Sequence, residues 1–335
     1  MQDKVRLDEL DRLLVNALQV SPRASWTQVA SVLGVDAVTV ARRWERLRES
    51  GTAWVTAYVG RPGWTGPLAL VEIESAGNSL AVARRLVDDP ECATIDITSG
   101  GRDLLLTVTA PDNTSLTDYL LHRLGSLEHA RSVRTHIVTR VIAEGARWRL
   151  PDLTESQVAR LTEPKAPAAA TAAADLTDTE RAILDCLVED ARIPATELAA
   201  RTGLPVRRAR DLLRAMLRSR RVTLRTELQS RASGWPIYAW FFLRVPSTAT
   251  DKISPRLGSL PEIRTVLQVA GPSNVIMAVW LRELPDVSRL EAAIEGQLRD
   301  VEIIDRSVVL RTTKRIGVVL DDEGRRVRTV RMRMA

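Results

Sequence analysis

Apolar residues at Leu10, Leu13, Leu14, Ala17 and Leu18 recur at three- and four-residue steps, the period of one helix face. Asp8 precedes them as an N-cap and Pro22 closes the stretch. A second stripe runs through Trp26, Val29, Ala30 and Leu33 to Gly34, a residue suited to a C-cap. A third follows Asp36, with Val40, Trp44 and Leu47 on one face. Three short helices with a glycine turn before the last predict a helix-turn-helix over residues 1–60. Beyond it the pattern alternates between strand and helix. Strands are expected at 67–75, 92–98, 103–110 and 132–142, and helices at 78–88 and 114–126. That order, βαββαβ, is the ferredoxin-like split unit, placed at residues 66–145.

The same pattern then returns. LDELDRLLVNALQVSPRASWTQVASVLGV, from Leu7, aligns without a gap on LTDTERAILDCLVEDARIPATELAARTGL, from Leu176. Leu7 meets Leu176, Arg12 meets Arg181, Leu18 meets Leu187, Arg23 meets Arg192, Ala30 meets Ala199 and Gly34 meets Gly203. Downstream, PLALVEIES matches YAWFFLRVP, and SGGRDLLLTV matches AGPSNVIMAVW. The chain therefore reads as an α+β protein of order A–B–A′–B′. A second helix-turn-helix is expected at 176–229 and a second ferredoxin-like module at 236–316. The Ala/Pro-rich TEPKAPAAATAAAD sits in a linker placed at 146–175, and 317–335 form a basic tail.

Composition narrows the classes. The 335 residues carry a formal charge of +6 and an isoelectric point near 9.9, a mild bias toward an anionic partner. Lysine occurs only at positions 4, 165, 252 and 314, so the cationic chemistry is arginine chemistry. No run of about 18 apolar residues predicts a membrane span, and the charged start lacks a signal core. A cytoplasmic location is expected. Cys92 and Cys186 are too few for a disulfide framework or a metal site and read as buried thiols. No cofactor is expected.

With Val40, Trp44 and Leu47 turned inward, Thr39, Arg42, Arg43 and Arg46 are expected to point away from the bundle. In the second copy, Val206, Ala209, Leu213 and Met216 or Leu217 form the inner face, leaving Arg207, Arg208 and Arg214 outside, with Arg210 nearer the flank. An arginine face on an isolated helix is ordinarily solvated surface. Two copies in the same context point to the major groove of double-stranded DNA, where arginine holds phosphates or pairs with guanine. Arg220 replaces Gly51 at the exit turn. Trp44 belongs to the core rather than to base stacking.

GVDAVTVARRWERLRESG and the opening LDELDRLLVNALQVSPRASWTQVA resemble the recognition segment and start of the leucine-responsive/AsnC (Lrp/AsnC) family of transcription regulators. The βαββαβ module resembles that family's effector domain. The resemblance implies sequence-specific DNA binding, assembly into dimers or larger even-numbered oligomers, and an amino acid or related small metabolite as effector. It further implies an effector site at the turn Gly100, Gly101, Arg102, Asp103, with Thr135 on the last strand. In the second lobe the turn reads Gly271, Pro272, Ser273, Asn274, where Asn replaces Asp and Pro removes a donor. The duplication implies that the two effector modules can pair within one chain. An ordinary β-turn is the alternative for these residues.

Two other classes compete. A siroheme-decarboxylase-like enzyme shares the family fold, but His122, His129 and His136 lack the spacing of a metal triad, so no catalytic residue is assigned. A protein-interaction scaffold with degenerate helix-turn-helices is the third reading. The tail GRRVRTVRMRMA reads as a DNA-backbone arm, a solvated end or an edge strand.

Overall fold

The computed structural model describes residues 7–60, 66–145, 148–162, 176–249, 257, 260–298 and 301–334. They divide into two compact units, each assembled from distant parts of the chain.

The first unit holds residues 1–65, 149–229 and 325–335. Its elements are α1 (Glu9–Val20), α2 (Trp26–Leu33), α3 (Ala37–Glu49), β1 (Ala53–Val59), α6 (Glu155–Leu161), α7 (Asp178–Glu189), α8 (Ala195–Thr202), α9 (Val206–Arg218), β6 (Val222–Leu228) and β12 (Arg326–Thr329). The expected caps form. Asp8 and Asp11 make a capping box at α1, Gly34 adopts φ 72° after α2, and Asp36 accepts from the Thr39 amide at α3. Thr177 and Glu180 repeat the box at α7, and Gly203 (φ 67°) repeats the left-handed cap. Leu14, Leu18, Val29, Val40, Trp44 and Leu47 build one helical core, and Ile183, Leu187, Leu198, Ala209, Leu213 and Met216 build the other. Val206, expected inside, is 38% exposed at the first residue of α9.

The two helical bundles share a ladder. Strand β1 pairs antiparallel with β6, from Ala53 opposite Leu228 to Val59 opposite Val222. Reciprocal arginines fasten the joint. Arg23 donates to the carbonyls of Ala191 (2.5 Å) and Ile193 (2.9 Å), and Arg192 donates to those of Pro22 (2.5 Å) and Ala24 (2.8 Å). Arg192 also lies 3.9 Å over the Trp26 ring, and burial pushes its pKa down to about 10.

Part of the expected linker is ordered. Thr154 caps α6, which docks on α2: Gln157 donates to the Val32 carbonyl and Arg160 to that of Ser31. Arg12 pairs with Asp152 at 2.9 Å, and the Asn16 side-chain carbonyl accepts from the Asp152 and Leu153 amides. The apolar positions of this short segment, Val158 and Leu161, find partners only once the bundle exists, so composition alone did not show them. The Ala/Pro-rich stretch from 163 to 175 lies outside the described residues. The tail is used structurally: Arg326 donates to the Glu189 carbonyl and Arg331 pairs with Asp185 at 2.6 Å, both on α7.

The second unit holds residues 66–148 and 230–324. Strands β2 (Leu68–Ser75), β3 (Cys92–Thr98), β4 (Leu104–Thr109) and β5 (Ala130–Ala143), with helices α4 (Ser79–Leu86) and α5 (Asn113–Asp118), form one βαββαβ lobe. The predicted second helix runs on from α5 as a π-helical turn, Tyr119–Leu124. Strands β7 (Ile237–Arg244), β8 (Ile263–Ala270), β9 (Val275–Leu281) and β10 (Glu302–Arg315), with helix α10 (Asp286–Gln297), form a second lobe, in which residues 250–256 and 258–259 lie outside the described residues. The sheet runs β10–β3–β4–β2–β5–β8–β9–β7 and closes where β7 pairs with β10, an eight-stranded barrel. β11 (Val318–Leu320) adds to β10 through a tight turn at Ile316 (φ 47°) and Gly317 (φ 75°).

Alternation decides what faces where. Ala69, Val71 and Ile73 face outward with Val82, Leu86, Leu116 and Leu124. Their neighbours Leu68 and Leu70 face inward with Leu105, Trp240, Phe242, Leu267, Val269 and Ile276, contributed by both lobes. Inside the barrel, the buried Asp96 carboxylate accepts from Trp240 Nε1 (3.0 Å) and Thr312 Oγ1 (2.6 Å) of the opposite lobe. Burial raises its pKa. Both cysteines are free and buried. Among the described residues, no helix is long and apolar enough to cross a membrane, and no cluster of His, Cys, Asp or Glu could hold a metal ion.

Candidate nucleic-acid interface and ligand turns

The third helix of each bundle is set by its apolar face. Val40, Trp44 and Leu47 are at most 3% exposed, which turns the remaining positions of α3 outward. Arg42 is exposed, as expected. Arg46 is exposed too but tethered, and Arg43 is half-buried. Arg43 Nη1 lies 2.6 Å from Asp8 and 2.9 Å from Asp11, and Arg46 Nη2 lies 2.5 Å from Asp11. Asp11 has no exposed surface, so a buried carboxylate on α1 holds two cations that helical spacing alone assigned to solvent. Thr39 turns its hydroxyl to Asp36, at 2.5 Å.

On α9, Arg207, Arg208 and Arg214 are exposed, as expected, and Arg210, expected nearer the flank, and Arg218 join them. Arg207 is 94% exposed at its side chain and meets Asp211 only at 4.0 Å. Glu180, which aligns with Asp11, pairs instead with Arg221 beyond the helix, at 3.2 Å. The cause is in the sequence: Leu212 and Ala215 stand where α3 has Arg43 and Arg46.

The ligand turns behave unlike free binding loops. Gly100 (φ 90°), Gly101 and Thr135 are exposed. Asp103 is occupied: its Oδ2 accepts from the Ser75 amide at 2.6 Å and from the Ser75 hydroxyl at 3.0 Å. Asn274 does the same work in the second lobe, accepting from the Val245 amide at 2.9 Å and donating to its carbonyl at 2.6 Å. Both residues fasten the end of the lobe's first strand, which explains why Asn can replace Asp. Ser273 is buried. Gly271 sits against His136, whose Nδ1 would lie 3.2 Å from an added Cβ.

Arg102, which stands beside Asp103, plugs the seam between the lobes. It is 5% exposed, stacks 3.9 Å from the Phe242 ring, and pairs with Asp305 at 2.5 Å. It also donates to the Ser307 hydroxyl. Its Nε lies 2.9 Å from Glu72, an ion pair without a well-aligned hydrogen bond. Glu72 receives His136 Nε2 at 2.6 Å and Arg134 at 3.2 Å. Burial alone would raise the Glu72 carboxyl, but the His136 hydrogen bond and the Arg102 ion pair hold its pKa down at about 2. Pairing of β2 with β5 sets Arg134 and His136 beside Glu72 within the first lobe, and the second lobe adds Phe242, Asp305 and Ser307 around Arg102. His122 and His129 are exposed and stand apart from this cluster.

An open groove of about 480 Å³ lies at the second turn, lined by Arg244, Val245, Pro246, Ser247, Gly271, Pro272, Asn274 and Glu302. Arg244 and Glu302 are opposite one another on β7 and β10.

Comparison with known proteins fits this arrangement. Residues 7–48 match an AsnC-type helix-turn-helix domain, residues 68–148 a Lrp/AsnC ligand binding domain, and residues 176–223 a winged helix-turn-helix DNA-binding domain. An uncharacterised HTH-type transcriptional regulator of Pyrococcus furiosus is 30% identical over 138 residues, which is 40% of this chain and 93% of that protein. The HTH-type transcriptional regulator FL11 of the same organism is 29% identical over 141 residues, 41% of this chain and 93% of that protein. Among solved structures, the siroheme decarboxylase NirDL superposes with a TM-score of 0.61 over 94% of this chain and 96% of that one, at 14% identity, a likeness of fold. With an AsnC-type reading head, a matching ligand-binding lobe and a relative of 30% identity covered almost end to end, the chain belongs to the Lrp/AsnC family of helix-turn-helix transcriptional regulators.

Proposed function

We propose that this regulator is a dimer written into one chain, in the order A–B–A′–B′, and that α3 and α9 together grip one stretch of duplex DNA. The observation that carries this is the joint between the heads. The β1–β6 ladder and the reciprocal bonds of Arg23 and Arg192 fix the two bundles to each other. Paired lobes in the barrel support the same reading. Heads held in one body relax the usual demand for two-fold symmetric sites. Fluorescence anisotropy with a labelled duplex, combined with sedimentation, tests it. The expected complex has one chain per duplex and an affinity that falls steeply with salt. A complex that forms only with two chains per duplex sinks the single-chain dimer.

The effector site is proposed for the second lobe. Arg102 fills the seam at the first turn, whereas the groove at the second places Arg244 and Glu302 side by side. Opposite charges at that spacing suit the carboxylate and ammonium of an amino acid. Thermal shift with an amino-acid panel, repeated on Glu302→Gln, tests it; a response unchanged by the substitution places the ligand elsewhere. A siroheme-decarboxylase-like enzyme is the competing reading and rests on likeness of fold. A Soret band retained after incubation with an iron tetrapyrrole would reverse the preference.

A further inference from the structure

We propose that the two heads divide the work of recognition: α9 is a phosphate clamp indifferent to sequence, and α3 reads the bases of a single half-site. This rests on the DNA-binding reading above and goes beyond it. The alignment that sets Gly34 on Gly203 sets Val38, Thr39, Ala41, Glu45 and Glu49 of α3 on Arg207, Arg208, Arg210, Arg214 and Arg218 of α9. Every one of these α9 positions is exposed. On α9, five arginines face one acid, Asp211. On α3, three of the four arginines are held by acids. Arg43 and Arg46 are held by Asp8 and Asp11, and Arg48 pairs with Glu45.

The helix starts differ in the same sense. Asp36 places a carboxylate on the first amides of α3, and hydrogen bonds from Thr39 lower its pKa. Pro205 stands at that place on α9 and offers no anion to compete with a phosphate. A row of exposed arginines with few short neighbours suits the DNA backbone, which carries no sequence information. With Arg43, Arg46 and Arg48 held, α3 instead offers one arginine among short side chains, the mixed chemistry that base edges distinguish. Helix α3 presents Arg42, Thr39 and Val38, the last 77% exposed. An exposed valine at the front of such a helix fits a thymine methyl, and Arg42 fits a guanine edge.

The experiment is selection of bound duplexes from a random pool by the full chain. Anisotropy then follows on the selected duplex and a scrambled one across a salt series. Selection should return one half-site beside a flank of no fixed sequence. The triple variant Arg208→Ala, Arg214→Ala, Arg218→Ala should weaken both duplexes by the same factor, about 100-fold at low salt. Its log–log salt slope should drop by about 3. The double variant Val38→Ser, Arg42→Ala should instead shrink the selected-to-scrambled ratio about tenfold and leave the slope within about one unit. Circular dichroism melting of each variant confirms that the heads remain folded. Two half-sites of equal information, or a triple variant that changes the ratio, overturns the division of labour while leaving DNA binding intact. Absence of binding to any duplex at low salt overturns both.

Discussion

Replacing Glu72 by Gln tests the charged seam of the barrel. The Glu72 carboxylate is nearly buried and bound by His136 at 2.6 Å, by Arg102 at 2.9 Å and by Arg134 at 3.2 Å. Its pKa falls from an ordinary 4.5 to about 2 on folding. At about 1.4 kcal/mol per unit, the ionised group contributes on the order of 3 kcal/mol. A folded pKa below the unfolded one means that the charged form stabilises the fold. The contribution is complete above pH 4.5 and is lost as the pH falls toward 2. Urea unfolding of wild type and Glu72→Gln, followed by tryptophan fluorescence from pH 7 down to pH 2.5, reads the difference directly. The gap should be about 3 kcal/mol at neutral pH and should close progressively through the acid range. A gap that stays constant with pH, or a neutral-pH gap under about 1 kcal/mol, would refute the claim that these partners hold an ionised Glu72.

Arg192→Ala removes two hydrogen bonds to buried carbonyls and the stack on Trp26, and should cost about 3 kcal/mol in the first unit. Arg192→Lys should recover less than half, since lysine lacks the fork, and full recovery in thermal melts would count against the clamp. Gly51→Ala combines φ 67° with a Cβ only 2.6 Å from the Arg326 carbonyl oxygen. A loss of about 2 kcal/mol or more is expected, and an unchanged melting temperature would contradict the close approach. Arg220, at the equivalent turn, is an arginine held at φ 56°, so Arg220→Gly should raise stability by about 1 kcal/mol; destabilisation in urea would show that its side chain is needed.

Much of the architecture was legible along the chain. Helical stripes, caps at Asp8, Gly34 and Asp36, and period-two strands follow from local physics, since each depends on neighbours within a few residues. A second helix-turn-helix was legible too, and Arg23 and Arg192, which align with each other, are the residues that join the two bundles. The inner faces of α3 and α9 were correct apart from Val206. Arg207, Arg208 and Arg214 face outward on α9 as the helical period predicts; on α3, Arg42 and Arg46 are exposed as well, whereas Arg43 is half-buried against Asp8 and Asp11.

What local spacing by itself determined was each element and the face it buries. What tertiary structure decided was which charges remain free. Asp11 lies some thirty residues before Arg43, and Asp305 some two hundred after Arg102. Helical period says only that an arginine leaves its own core. Whether a carboxylate from another element waits there depends on packing. A desolvated acid seeks the nearest cation in space, wherever that cation falls in the chain. For the same reason Asp103 and Asn274 read as ligand residues from their turns, and the folded lobes show them spent on the ends of neighbouring strands.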